Sequence, residues 1–145
     1  MAFQLRYTVD GQDITVVAIG LFVAPNKMLL ELMRLGVRVI LVEPTIGAHQ
    51  GRGLPDRDRG PLSREGISIP WQMLHRGMES IAVDFHHEVG RRLVLDLIKK
   101  THVLVSNWPT RMAPWLEYTR MVDYCGPQVI KVQFDGGYDG RVAND

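Results

Sequence analysis

A run of β-branched and apolar residues, Ile14 to Ile19, passes through Gly20 and Pro25 straight into an amphipathic segment, and a second such run, Val37 to Glu43, begins as soon as that segment ends. Few folds accommodate this. A strand that is apolar at successive positions must be covered on both faces, and two such strands joined by a helix-length crossover pair in parallel. Between them, Pro25 suits a first helical turn, where its missing N–H costs nothing. Lys27, Glu31 and Arg34 share a polar face, while Met28, Leu29, Leu32, Met33 and Leu35 fill the rest. Gly36 closes the helix in the usual C-terminal manner.

The unit then recurs. Ser80 to Phe85 predicts a strand and His87 to Lys100 a helix, with Val89, Leu93 and Leu97 at i, i+4 and i+8 and Val94 and Ile98 beside them. His102 to Ser106 predicts the next strand, Pro114 to Tyr124 a helix stopped by Cys125-Gly126-Pro127, and Val129 to Phe134 a last strand. Upstream, residues 3–9 alternate in polarity and halt at Asp10-Gly11, which predicts a hairpin whose second strand becomes a central strand. Residues 44–66, rich in glycine and proline and holding Asp56-Arg57-Asp58-Arg59, predict one long loop. The expectation is a single α/β domain over residues 1–145, a Rossmann-like, open, mostly parallel sheet with helices on both faces.

Composition narrows the partners. A formal net charge of +1 argues against a nucleic-acid protein. The longest apolar stretch, near Val16 to Ala24, is too short to span a membrane. The first residues lack a secretory pattern and the single cysteine fits a reducing compartment, so the expected location is cytoplasmic.

In such a fold, ligands bind beyond the carboxyl ends of the strands. Gly20 is followed by bulky Leu21, Phe22 and Val23, so neither a dinucleotide fingerprint nor a P-loop is present. Glu43 stands where acids bind ribose in nicotinamide and methyltransferase folds, which keeps a nucleotide or S-adenosylmethionine site open as an alternative. Otherwise it is a strand-end carboxylate that faces water or caps the Pro44 turn. His86 and His87, being adjacent, point to different sides and form the polar start of a helix, so no metal site is expected. Cys125 has no nameable base partner and is expected to be a buried structural thiol. No G-x-S-x-G elbow supports hydrolase chemistry. Asp135 and Asp139 precede glycines, which is turn chemistry.

The order of the motifs is more specific than any one of them. It runs Leu35-Gly36-Val-Arg-Val-Ile-Leu-Val-Glu43-Pro44; His75-Arg76-Gly77-Met78-Glu79-Ser80-Ile81-Ala82-Val83-Asp84; Gly90-Arg91-Arg92-Leu93; His102-Val-Leu-Val-Ser-Asn107-Trp108; and Gly126-Pro127-Gln128-Val129-Ile130. This series resembles the opening third of the class III CoA-transferases, the formyl-CoA transferase and CaiB/BaiF group. The resemblance implies a CoA-binding Rossmann-like domain, with CoA passed between carboxylic acids through an aspartyl-CoA thioester, or a related acyl-CoA racemisation. It implies no tightly bound cofactor, a coenzyme A thioester as substrate, and an oligomer. Carried over by position, Phe22, Val23 and Ala24 would lie along the CoA, Asn107 and Trp108 match an Asn-Phe pair beside it, and Arg111-Met112 resembles an Arg-Met pair that contacts it. The family's Lys-Arg after Arg-Gly is Met78-Glu79 here, and the Lys of its second strand is Leu41, which should weaken phosphate contacts. The family's nucleophilic aspartate falls past residue 145, so no catalytic residue is assigned: the chain is expected to be one piece of such an enzyme or, as an alternative, a non-catalytic domain that binds a ligand or partner. A complementary chain or C-terminal fragment of the same family is the implied partner.

Overall fold

A computed structural model of the chain describes residues 7–9, 11–20, 23–45, 53–108, 114 and 124–134. Strands β1 (Thr8–Val9) and β2 (Gln12–Asp13) pair antiparallel across a turn in which Gly11 takes a φ of 76°, a conformation that favours glycine. The expected hairpin is therefore present, although residues 3–6 lie outside the described part. Its second strand leads into β3 (Thr15–Ile19), where the side chains of Val16 to Ile19 are buried.

Helix α1 (Val23–Arg34), strand β4 (Arg38–Pro44), helix α2 (Ile69–Leu74), strand β5 (Glu79–Val83), helix α3 (Glu88–Ile98), and strands β6 (Val103–Ser106) and β7 (Ile130–Gln133) follow. The sheet order is β5-β4-β3-β6-β7, and each neighbouring pair is parallel. Alternate strand residues divide between two cores. Val17, Ile19, Ile40, Val42, Val83 and Leu104 face Val94 and Ile98 of α3, together with Cys125. Val16, Ala18, Val39, Leu41 and Val105 face Leu29 of α1, with Leu54 beside them. Each valine, leucine or isoleucine among them, taken fully from water, contributes about 1.5–3 kcal/mol. Helices thus cover both faces of a parallel sheet, as the β-branched runs require.

Three expectations need correction or completion. On α3 the row that meets the sheet is Gly90, Val94 and Ile98; Val89 and Leu93 are 79% and 47% exposed. The cause is Gly90, whose absent Cβ lets the helix press against the Asp84 carbonyl. Residues 44–66 are not one uninterrupted loop, because Pro55–Arg57 form a 3-10 turn. Helix α2 was not anticipated, yet its local signals are plain: Ser68 accepts a hydrogen bond from the Trp71 N–H and Pro70 sits in the first turn. The helix expected over Pro114 to Tyr124 lies, apart from its two ends, outside the described residues.

Candidate functional site

The chain leaves β3 through α1 to β4 on one side, and later returns through α3 to β6 on the other. The crevice beyond the carboxyl ends of β3 and β6 is therefore the switch point of the sheet, where such folds bind ligands. Ile19 pairs with both Val42 and Ser106. One residue further on, Glu43, Gly20 and Asn107 form a row along that edge, spaced by roughly the 4.8 Å between strands.

Gly20 has a φ of 73°, and a Cβ there would lie 2.7 Å from Asn107 Oδ1 and collide with the indole of Trp108. The bare backbone lets these two side chains lie across the end of β3. Trp108 is held from several directions. Its N–H donates to Ser106 Oγ at 3.1 Å, its carbonyl accepts from Gln133 Nε2 at 3.2 Å, and its ring meets Phe85 edge-on at 4.9 Å. Asn107 Oδ1 is buried without a hydrogen-bond partner. Val23 and Ala24, at the first turn of α1, are exposed at the same edge. Phe22, Arg111 and Met112 lie outside the described residues.

Glu43 forms the other wall of the row. It neither faces water nor caps the Pro44 turn, being 2% exposed. Its carboxylate accepts from Arg57 twice, Nε to Oε2 at 2.7 Å and Nη2 to Oε1 at 2.6 Å, from the Leu54 N–H at 3.3 Å, and from the Ser80 hydroxyl. A ribose hydroxyl would have to displace these. Burial opposes the carboxylate's charge, but Arg57, Ser80 and the Leu54 N–H together outweigh it and hold the group below the usual carboxylate range. Gly53 leaves the space, for a Cβ there would stand 2.5 Å from Glu43 Oε2.

The clamp continues outward as a stack. The Arg57 guanidinium lies 4.2 Å from the Trp71 ring centre, and Trp71 stacks on His75 at 3.7 Å. His75 places Nδ1 3.1 Å from the Trp71 carbonyl and buries Nε2 without a partner. Burial pushes the imidazole below its ordinary pKa. The charges of residues 56–59 stand out in the sequence, but nothing local to them pairs Arg57 with a carboxylate on a strand.

The remaining titratable candidates make local contacts. His86 N–H and the His87 ring approach Asp84 at 2.8 and 3.7 Å, and His87 precedes α3 as its cap residue. Cys125 is buried, with Sγ 3.9 Å from the Leu95 carbonyl, and burial raises its pKa. Of the two residues that replace cations, Met78 packs into the α1-side core and Glu79 is held by Arg38 through two 2.7 Å bonds. Asp135 and Asp139 lie outside the described residues.

Comparison with known proteins follows the same lines. The family model for CoA-transferase family III matches residues 12–143. The chain is 32% identical over 124 residues to 2-methylfumaryl-CoA isomerase of Chloroflexus aurantiacus, covering 82% of this chain and 28% of that protein. It is 27% identical over 125 residues to succinyl-CoA–D-citramalate CoA-transferase of the same organism, covering 86% and 30%. It therefore spans less than a third of the length of these curated relatives. A CaiB/BaiF family protein from Brucella suis aligns with a TM-score of 0.76 at 27% identity, over 94% of this chain and 37% of the other. Rv3272 from Mycobacterium tuberculosis shares the fold, with a TM-score of 0.74 at 22% identity over 93% and 36%.

Proposed function

Because the chain belongs to CoA-transferase family III, we propose that it is the CoA-facing α/β portion of an enzyme acting on acyl-CoA and carboxylic acid substrates. The single observation that carries the reading is the apposition of Asn107 and Trp108 against Gly20 at the switch point. Trp108 offers an aromatic surface fixed by Phe85 and Gln133, and Asn107 offers an unpaired acceptor for a ligand N–H. Val23 and Ala24 would line the same path, as would Phe22, Arg111 and Met112. The family resemblance implies an aspartate nucleophile, and in this reading that aspartate comes from a part or chain outside this sequence. The role of these residues is then to bind and orient the thioester within an oligomer completed by that complementary part, in the cytoplasm. Names of the two curated relatives support an acyl-CoA substrate, one being an isomerase and the other a transferase.

Titration calorimetry of the full chain with CoA and with succinyl-CoA tests the reading. Binding of both, with no covalent thioester by intact-mass spectrometry, is the expected result. A chain that binds S-adenosylmethionine or NAD and ignores CoA would overturn it. A thioester formed on this chain alone would place the nucleophile within it and overturn that part.

A further inference from the structure

Helix α3 is the crossover from β5 to β6, and its first turn carries Gly90-Arg91, one of the motifs in the ordered series of the sequence. The turn between β5 and α3 is tied to that pair at successive residues. The Asp84 carbonyl lies against Gly90, where a Cβ would stand 2.0 Å from its oxygen. Arg91 Nη1 donates to the Phe85 carbonyl at 2.9 Å and to the His86 carbonyl at 3.0 Å. Within the turn, the His86 N–H donates to Asp84 Oδ1 at 2.8 Å. Two consecutive carbonyls aimed at one guanidinium nitrogen leave the Phe85 backbone little freedom, because hydrogen bonds from a charged donor are the stronger kind.

Phe85 carries that constraint to a distant strand. β5 is three places from β6 in the sheet, roughly 14 Å at the usual strand spacing. Even so, the Phe85 ring meets the Trp108 indole edge-on at 4.9 Å, and both rings pack on the α3-side core. The backbone of Trp108 is fixed separately, through Ser106 and Gln133, while Gly20 faces indole atoms Cδ1 and Nε1. We propose that Arg91 is a positioning residue for the CoA-facing wall, acting through Phe85 on the orientation of Trp108. Arg91 holds the turn, the turn aims the Phe85 ring, and that ring keeps the indole from swinging off Gly20. The link to CoA rests on the reading given above; the link from Arg91 to the indole does not.

Arg91→Met in the full chain tests this through the indole N–H resonances of a proton–nitrogen correlation spectrum, with Trp108→Phe assigning the peak. The Trp108 resonance should shift or broaden, while that of Trp71, which packs on the opposite core, keeps its position. CoA affinity should fall about fivefold, in line with one lost hydrogen bond. Phe85→Leu, which leaves Arg91 in place, should produce the same two changes. In the double variant the affinity losses should not add, because both act on one ring. Arg91→Lys keeps a charged donor and should recover part of the Trp108 position. An unmoved Trp108 resonance in either single variant, or losses that add in full, would overturn the proposal and leave Arg91 a clamp on its own turn. Should Arg91→Met not fold, Phe85→Leu and Arg91→Lys decide the matter by the same resonance. Should the wild-type chain bind no CoA, the parent reading fails and the CoA part of the proposal with it, while the resonances still decide whether Arg91 sets the indole.

Discussion

Arg57→Met removes the cation of the clamp while keeping a long side chain over Trp71. Glu43 is then left with the Ser80 hydroxyl and the Leu54 N–H. Breaking a fully buried ion pair costs about 3–5 kcal/mol, and an exposed pair contributes about 0–1 kcal/mol. The side chains here are 38% exposed for Arg57 and 3% for Glu43, which puts the pair between those limits, nearer the buried one. Allowing for solvent screening at Arg57, the expected loss at neutral pH is about 2–3 kcal/mol, the lost cation–π contact included. The pH dependence gives an independent check. Glu43 is held below its ordinary pKa of 4.5 in the fold, so its contribution is present above that value and lost as pH falls through the folded pKa. In the variant, burial without the cation raises the pKa, so Glu43 folds protonated over a wider range. The gap between wild type and variant should therefore shrink from neutral pH to about pH 4. Urea unfolding followed by circular dichroism at both pH values measures it. A neutral-pH loss below about 1 kcal/mol, or a gap that does not change with pH, would refute the clamp.

Other substitutions test neighbouring features. His75 has a folded pKa below 6.5, so the unfolded chain takes the proton first and stability falls as pH drops below that value; His75→Phe keeps the stack on Trp71 and should flatten this slope in urea midpoints between pH 7.5 and 5.5 (about one unit either side of the imidazole pKa). An unchanged slope would show that another group titrates. Gly20→Ala forces a left-handed φ on alanine and drives its Cβ into Trp108, so a loss of about 2 kcal/mol or more is expected, with a shift in tryptophan emission. Gly90→Ala should cost a similar amount, about 2 kcal/mol, by lifting α3 from the Asp84 carbonyl, and native-state hydrogen exchange at Val94 and Ile98 should speed up.

How far the sequence reveals the fold depends on the range of the interaction concerned. The β3–α1–β4 unit was legible because its signals are local: an apolar run, a proline in the first turn and a glycine at the end. On α3 the apolar stripe of Val89, Leu93 and Leu97 with Val94 and Ile98 was half right, because Val94, Leu97 and Ile98 pack on the core while Val89 and Leu93 turn outward, and the close approach at Gly90 decides which side meets the sheet. Periodicity weighs side chains and gives no weight to a missing one. Helix α2 carried a capping serine and a first-turn proline within a stretch whose glycines suggested only loop. In the site, Asn107 and Trp108 were found through motif order, but their contact with Gly20 joins strands far apart in sequence. The Glu43–Arg57 pair was missed because a loop arginine carries no local sign of the carboxylate it will meet.

The strand order also sets when during folding the crevice can exist. β3 pairs with β4 through residues 15 and 38, but with β6 only through residues 16 and 103. The first closure is short and the second long, and long closures come late because their entropy is spent before contacts compensate it. Gly20 meets Asn107 and Trp108 only at that second closure. A chain caught halfway would carry much of its helix and half its sheet, yet not the crevice proposed to hold CoA. Stopped-flow refolding should accordingly show far-UV signal recovering ahead of CoA binding, and simultaneous recovery would contradict this order. Ligand would then stabilise the finished sheet alone, so CoA in the refolding buffer should slow unfolding while leaving the earliest helical phase untouched.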